Sequence, residues 1–195
     1  KPERPDYVVF DLDPPDGAFA LCIRAAHLLH ELLESLDLRS YVKTSGADGI
    51  HVLVPITRRY SFAQTHRFAE LVSKQLTEEN PGVVTTEWLK RKRVGVLIDY
   101  HQNGAGKTIA SAYSVRPKEG APVSTPLRWE ELTPRLDPGR FTMAAVLRRV
   151  DQEGDLFQPV LAGGQSLGAA LRLLERHSAA QAAARRPSQR GVSRT

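Results

Sequence analysis

The sequence predicts an α+β fold in which a mostly antiparallel sheet of four or five strands is flanked by helices. Short apolar runs bounded by turn residues indicate strands, and two of these runs are joined by the turn sequence "GADG", which is typical of a hairpin. Two longer segments carry apolar residues at helical spacing. Both patterns occur within 195 residues, so we expect one domain in which helices cover the sheet.

The first half of the chain contains the clearest elements. Residues 6–12 are a predicted buried strand, and residues 20–36 repeat apolar side chains as an amphipathic helix does. A second helix is predicted at 61–76, because Ser61 is a typical N-cap residue and a proline follows Asn80. Further strands are predicted at 39–45, 50–56, 82–88 and 94–100.

Beyond residue 100 the pattern is less regular. Residues 106–116 are predicted to form a short helix that turns into a strand, and 125–132 and 141–150 are predicted helices. From about Ser178 the composition changes to Ala, Arg, Ser and Gln. We therefore expect a folded domain over 1–177 and a disordered basic tail or linker over 178–195.

The composition is that of an ordinary globular protein, with 41% hydrophobic and 25% charged residues. Charges interrupt every apolar stretch well before it could span a membrane, and the N-terminus has no signal-peptide core. We therefore expect a soluble protein of the cytoplasm with no membrane partner. The single cysteine, Cys22, lies within a helical apolar pattern, which favours core packing in a reducing compartment.

The formal net charge of +5 does not by itself indicate nucleic-acid binding. Four arginines and no acid lie in the last 18 residues, which leaves a charge of only +1 on the rest of the chain. Nucleic-acid contact must therefore depend on local clusters such as Lys90, Arg91, Lys92 and Arg93. This run could follow a nucleic-acid backbone, although four adjacent charges are more often a solvated loop.

Two aspartates follow the first strand in the stretch "FDLDPPDG". Asp11 and Asp13 are two residues apart, so a strand directs both side chains to one face while Leu12 points into the core. Carboxylate oxygens favour magnesium or manganese over zinc. Asp99 ends another apolar strand and would complete the three acids of a two-metal phosphoryl-transfer centre. The alternatives are a solvated acidic turn for the pair and an ordinary turn residue for Asp99.

The stretch "TSGADGIH" has the features of a phosphate-binding turn. Gly46 and Gly49 would let backbone N–H groups face an anion, Ser45 adds a hydroxyl, and His51 is placed to donate to a phosphate oxygen. An ordinary hairpin turn is the alternative. Four further polar residues follow Asp99 and could reach the same phosphates, or could be solvated surface groups: Gln102, Asn103, Lys107 and Arg116.

Four motifs together resemble the primase-polymerase domain of bacterial DNA ligase D, a member of the archaeo-eukaryotic primase superfamily. They are "VVFDLDPPDG", "VKTSGADGIHVLVPI", "TTEWLKRKRVGVLIDYHQN" and "SAYSVRPKEGAPVSTPLRWEEL", in the order and spacing of that family over roughly residues 5 to 150. The resemblance implies a primase-polymerase catalytic core. It also implies a nucleotidyltransferase that adds ribonucleotides, and less readily deoxyribonucleotides, to DNA 3′ ends in non-homologous end joining.

The resemblance also implies roles for individual residues. Asp11, Asp13 and Asp99 would be the catalytic carboxylates that hold two ions, Mn²⁺ in preference to Mg²⁺. The implied nucleotide-binding residues are Ser45, Gly46, Gly49, His51, Gln102 and Arg116. The implied partners are NTPs or dNTPs, DNA ends with gaps or overhangs, the end-binding protein Ku and other modules of DNA ligase D. The expected location is the nucleoid of a bacterial cytoplasm.

The sequence departs from this family in two ways. Asp48 stands where some relatives have a lysine, so other basic groups would have to supply that positive charge near the triphosphate. The family domain also has an N-terminal half ahead of the first aspartate motif, with a 5′-phosphate pocket and an aromatic residue that stacks on the base. Residues 1–177 are therefore expected to be the catalytic half of such a domain, as a fragment, an incomplete gene product or part of a split protein.

Two other functions remain open from the sequence. In a dehalogenase-type phosphatase Asp11 would be the nucleophile and Asp13 the acid and base, but Pro15 stands where that motif needs a small hydroxyl residue. The antiparallel strand pattern also does not match that superfamily's parallel sheet. The second alternative is a non-catalytic module that binds nucleotides or DNA ends. Because an unused cluster of like charges is destabilising, the three acids favour the enzyme.

Overall fold

The computed structural model describes residues 3–184, which contain a six-stranded, mostly antiparallel sheet flanked by helices. The strands are β1 (Tyr7–Asp13), β2 (Tyr41–Thr44), β3 (Ile50–Pro55), β4 (Val84–Thr85), β5 (Val96–Asp99) and β6 (Pro126–Leu127). Their order is β4-β5-β1-β3-β2-β6, and β4 runs parallel to β5 whereas the other pairs are antiparallel. The predicted α+β class is confirmed. The sheet is larger than expected because β6, a two-residue edge strand, was not predicted.

Helices flank both faces of this sheet, since Val160 of the fourth helix packs against Val9 and Leu53 while the first two helices cover the opposite face. They are α1 (Phe19–Ser35), α2 (Phe62–Glu79), α3 (Met143–Glu153), α4 (Gln158–Ala162) and α5 (Gly168–Ala184). The predictions of α1, α2 and α3 are confirmed. Ser61 caps α2 as predicted, because its hydroxyl accepts from the Gln64 N–H while the Gln64 side chain accepts from the Ser61 N–H.

Several predictions outside these elements are wrong. Residues 106–116 form no helix, and of the predicted strand only an isolated antiparallel bridge between Val115 and Val123 is present, beside the bond from the Tyr113 N–H to the Ser124 carbonyl. Residues 125–132 contain β6 and a 3-10 turn instead of a helix. Of the predicted strand at 82–88, only Val84–Thr85 is a strand.

The predicted disorder from Ser178 onwards is also wrong for the part that the structure describes. Helix α5 runs through to Ala184, so residues 178–184 are helical. Alanine has the highest helix propensity, and the alanine-rich composition that suggested a linker therefore extends the helix instead. Residues 185–195 of the predicted tail lie outside the described residues.

Alternation along β1 separates the core from the functional face. Val8, Phe10 and Leu12 are fully buried beneath α1 and α2, and Phe10 meets Phe68 of α2 edge to face. The residues between them, beginning with Val9, point to the opposite face of the sheet. Cys22 of α1 has the predicted packing role, since its buried thiol donates to the Leu12 carbonyl.

No helix in residues 3–184 is both long and apolar enough to cross a membrane.

Candidate active site

A row of polar side chains crosses the sheet on the face opposite α1 and α2. Asp11 of β1 pairs with His51 of β3 on one side and with Asp99 of β5 on the other, and His51 pairs in turn with Lys43 of β2. Directly opposed residues of antiparallel strands point to the same face, so strand register alone places these four side by side. Asp13 lies two residues further along β1, on the same face as predicted.

An open cleft of about 680 Å³ adjoins this row. Asp11, Asp13 and His51 line its sheet side. The opposite walls come from loops and include Asp16, Ser45, Asp48, Gly49, Lys90, Arg93, Arg116 and Lys118. The cleft therefore combines carboxylates on the sheet with cations on the rim, which suits a ligand that carries phosphates and a bound cation.

The carboxylates influence each other electrostatically. Burial raises the pKa of Asp13, the negative charges of Asp11 and Asp99 also raise it, and Arg93 lowers it, so that the pKa is about 6. Like charges held this close disfavour each other's ionisation, and a divalent cation between them would relieve the repulsion.

Asp99 is presented differently from the other two acids. Its side chain is buried and does not line the cleft. One carboxylate oxygen accepts from the His101 N–H at 3.0 Å and the other from the Gln102 Nε2 at 3.0 Å. Gln102 itself lines a separate cavity of about 290 Å³ together with Lys107. The structure therefore places the Gln102 amide on Asp99, away from the predicted position at the nucleotide phosphates.

The donor atoms at the cleft fit a hard divalent cation. Within residues 3–184, no group of three or more His, Cys, Asp or Glu side chains is arranged to hold a metal ion as it stands. Asp11 and Asp13 nevertheless offer carboxylate oxygens to the cleft, as magnesium or manganese requires. Asp99 is buried and does not line the cleft, although each of its oxygens keeps a lone pair beyond the hydrogen bond that it accepts.

The turn between β2 and β3 is organised around Ser45. The Ser45 hydroxyl accepts from the N–H groups of Ala47 and Gly49, both at 3.1 Å. The expectation that the amides of this turn face an anion is therefore wrong for these two, because they face the serine oxygen. The turn instead forms part of the cleft wall, and the hydrogen bonds to Ser45 fix its shape.

Both predicted glycines are required by close packing. Gly46 has φ +74°, and a Cβ atom there would lie 2.6 Å from Cγ of Arg116. A Cβ atom at Gly49 would lie 2.6 Å from the carbonyl oxygen of Leu12. These contacts hold the turn against Arg116 on one side and against the end of β1 on the other.

His51 contacts a carboxylate in this structure. Its Nε2 lies 3.2 Å from Oδ1 of Asp11, and burial lowers the pKa of the imidazole, which favours the neutral ring. A neutral ring that donates from Nε2 keeps only a lone pair on Nδ1, and Nδ1 is buried without a partner among the described residues. His51 thus orients Asp11 here and does not point a donor at the cleft as predicted.

Lys43 is a site residue that the sequence analysis missed. It is 2% exposed, and its Nζ donates to the Ser124 hydroxyl at 2.5 Å. Burial lowers the pKa of its amine to about 7, although the nearby charge of Asp11 raises it. The sequence did contain a signal for this residue. In a predicted strand, a lysine two residues before Ser45 lies on the same face as Ser45 and therefore on the face of the site.

Only some of the predicted basic residues lie at the rim of the cleft. Arg116 donates to the Ser45 carbonyl at 3.3 Å. Lys118 pairs with Asp48 at 2.6 Å and so neutralises the acid at position 48. Lys90 and Arg93 line the cleft, whereas the exposed Arg91 and Lys92 do not. The side chain of Asn103 is buried and bonds to the backbone of Val9.

Comparisons with known proteins give one family. Residues 1–157 match the family "LigD, primase-polymerase domain". The chain is 36% identical over 157 residues to the bifunctional non-homologous end joining protein LigD of Bacillus subtilis, covering 79% of this chain and 26% of that protein. It is 38% identical over 152 residues to the multifunctional non-homologous end joining protein LigD of Pseudomonas aeruginosa, covering 77% of this chain and 18% of that protein.

The fold is similar to that of a solved relative, the polymerase domain from Mycobacterium tuberculosis ligase D in complex with DNA. The TM-score is 0.77 at 31% sequence identity, with 83% of this chain and 57% of that chain covered. The chain thus spans about a quarter or less of the length of the two curated relatives, and more than half of the solved domain.

Proposed function

We propose that this chain, which belongs to the LigD primase-polymerase domain family, is the carboxylate-bearing part of a DNA-end nucleotidyltransferase. It adds ribonucleotides or deoxyribonucleotides to the 3′ ends of gapped or overhanging DNA in non-homologous end joining. One observation carries this proposal. Asp11 stands in register between His51 and Asp99, and it opens with Asp13 onto a cleft whose rim carries cations.

Asp11 and Asp13 are the proposed ligands of two divalent ions, with Asp99 as the third carboxylate. When bound, manganese or magnesium would activate the primer 3′-hydroxyl and neutralise charge on the triphosphate and the leaving pyrophosphate. His51 holds Asp11 in orientation through its 3.2 Å contact. No side chain is needed as a nucleophile, because the attacking group belongs to the DNA.

The rim cations are the proposed triphosphate contacts. The Arg116 guanidinium uses Nη1 to bond the Ser45 carbonyl, which leaves further N–H donors for phosphate oxygens. Lys118 lies on the same wall and is shared with Asp48. Ser45, Gly46 and Gly49 position this wall, and the Ser45 hydroxyl occupies the amides of Ala47 and Gly49.

The wider setting of the reaction is also part of the proposal. The solved relative is described as a complex with DNA, and we assign the DNA backbone contact of this chain to Lys90, Arg91, Lys92 and Arg93. Family resemblance adds Ku and the other LigD modules as partners. A chromosomal DNA end as substrate places the protein at the nucleoid of a bacterial cytoplasm.

A non-catalytic nucleotide- or DNA-end-binding module is the second candidate, and one observation favours it. Asp99 is buried and does not line the cleft, so the third carboxylate does not face the proposed ion site in this arrangement. The phosphatase alternative fits poorly, because β1 lies between two antiparallel neighbours instead of within a doubly wound parallel sheet.

The test is incorporation of a labelled ribonucleotide onto the primer of a gapped DNA with Mn²⁺. We expect extension by the parent chain and its loss in both Asp11→Ala and Asp99→Ala. Asp151→Ala removes an exposed acid of α3 and serves as the matched control, which should extend normally. Nucleotide or DNA binding without extension by the parent chain would favour the binding module. Extension that survives Asp11→Ala would contradict the proposed site.

A further inference from the structure

An aromatic cluster lies beside the carboxylate row, outside the residues that line the cleft. Trp88 meets His101 with the rings perpendicular and their centroids 6.2 Å apart. His101 lies over Tyr100 at 4.3 Å, and His66 of α2 meets both, with its Nε2 3.2 Å from the Nδ1 of His101. Trp88 is 59% exposed, and a perpendicular neighbour covers at most one face of its ring.

The loop that carries Trp88 is held in place by its own hydrogen bonds. The Leu89 N–H donates to the Glu87 carboxylate at 2.9 Å, and the Lys92 N–H donates to the Leu89 carbonyl at 2.8 Å. Arg93 Nη2 donates to the Trp88 carbonyl at 3.1 Å. The exposed indole is therefore presented by a braced loop, and little ordering is required when a ligand binds it.

The charge around the indole identifies the ligand class. Residues 86–94 contain four cations and one acid, Glu87, whose carboxylate already accepts from the Leu89 N–H. Arg91 and Lys92 are exposed and do not line the cleft, so they remain available on the same loop as Trp88. Open aromatic faces interleaved with cations are the recognition pattern for unpaired nucleotides, in which bases stack and phosphates pair with the cations.

The cluster is also tied to the carboxylate row. Asp99 Oδ1 accepts from the backbone N–H of His101, so the ring that meets Trp88 belongs to the residue that binds the third carboxylate. Bases stacked on this cluster would therefore lie next to the site. We propose that Trp88 and His101, with Arg91 and Lys92, form a stacking platform for the unpaired bases of a single-stranded DNA overhang. This inference rests on the proposed function and specifies which part of the DNA end this surface binds.

The test measures binding of a labelled ten-residue oligothymidylate by fluorescence anisotropy, at low salt and with EDTA. Base stacking on an aromatic side chain contributes enough that Trp88→Ala should weaken binding about tenfold or more. Trp88→Phe keeps an aromatic face and should remain within about threefold of the parent chain. Leu161→Ala, which truncates an apolar side chain of α4 that is 68% exposed, is the matched control and should not change affinity.

A second measurement follows the fluorescence of the Trp88 indole. The chain has two tryptophans, and Trp129 stacks on His30 at 3.9 Å. In Trp129→Phe the remaining emission comes from Trp88, and we expect the oligothymidylate to quench it. Undetectable binding by the parent chain, or equal affinity of the parent and Trp88→Ala, would overturn the platform. In either case the exposed Trp88, Leu89 and Val94 would be better explained as a protein contact.

The outcome is separable from that of the proposed function. The binding assay contains neither nucleotide nor metal, so a chain that fails to extend a primer can still show the Trp88-dependent affinity. Conversely, the chain could extend a gapped primer while Trp88→Ala binds the oligothymidylate as tightly as the parent. That result would support the nucleotidyltransferase and contradict the stacking platform.

Discussion

The two sides of the cleft are built from different kinds of structure. On the acidic side, Asp11 lies on a strand that is paired on both edges, and its neighbours His51 and Asp99 are set by strand register. On the basic side, Arg116 and Lys118 lie in irregular chain, and each is held to the β2–β3 turn by one polar contact. The acids are thus preorganised by the whole sheet, whereas the cations can adjust to a ligand.

This difference predicts unequal sensitivity to substitution. Asp11→Asn should lower nucleotide incorporation by about 10³-fold, since losing a metal-ligand charge removes several kcal/mol of transition-state stabilisation. Arg116→Ala should lower incorporation by only about 10- to 30-fold, because Lys118 and Arg93 remain at the rim. Single-turnover rates on gapped DNA would measure both. Equal losses would mean that the two sides are equally preorganised.

The buried amine of Lys43 should make the free energy of unfolding depend on pH. The pKa of its amine is lowered to about 7 in the folded chain, so between pH 7 and its ordinary pKa of 10.5 the unfolded chain binds more protons. The free energy of unfolding should therefore rise as the pH rises from 7 to 9.5, by about 3 kcal/mol or less. Lys43→Met should remove this rise and should be more stable than the parent at pH 7. Urea unfolding at both pH values measures the effect.

Lys74→Met is the matched control for this experiment, because Lys74 is a half-exposed residue of α2 paired with Glu70. It should leave the pH dependence of unfolding unchanged. A rise of the same size in Lys43→Met would show that the buried amine is not its source.

The β2–β3 turn joins the two sides of the cleft, and one added methyl group should destabilise it. A Cβ atom at Gly49 would lie 2.6 Å from the Leu12 carbonyl oxygen, so Gly49→Ala should destabilise the chain by about 2 kcal/mol through overpacking. Gly120→Ala places a methyl group where nothing lies within 4 Å, but at φ +77°, and its smaller cost reports backbone strain alone. Denaturant midpoints of the two variants give the comparison. If Gly49→Ala is the milder change, the turn is not packed as described.

The smallest expected effect concerns protonation of the acidic side. Because burial and neighbouring charges raise the pKa of Asp13 to about 6, its carboxyl must lose a proton before it can bind an ion below that pH. Affinity for Mn²⁺ should fall about tenfold for each pH unit below 6 and level off above it. Calorimetric titration of Mn²⁺ between pH 5 and 7.5 tests this. Asp13→Asn should bind more weakly and show a flatter profile, and an unchanged profile would exclude Asp13 as the titrating ligand.

Local patterns predicted much of the fold and part of the site. The period-two alternation of β1 puts Asp11 and Asp13 on one face, and Leu12 is buried on the other as predicted. The helical spacing of α1 and α2 and the capping role of Ser61 were also legible, because each depends on residues within a few positions of one another. The family was indicated by four short motifs together with their order along the chain.

Only the tertiary structure decided what surrounds each acid. Asp11 and Asp99 are 88 residues apart in the chain, and their pairing depends on the order and register of strands, which no local pattern determines. The same applies to Lys43 beside Ser124, to Gln102 on Asp99 and to Lys118 opposite Asp48. The sequence by itself determined which side chains could do chemistry and which face of a strand they occupy. Folding determined which of them meet, because burial and partner contacts arise only when distant segments pack together.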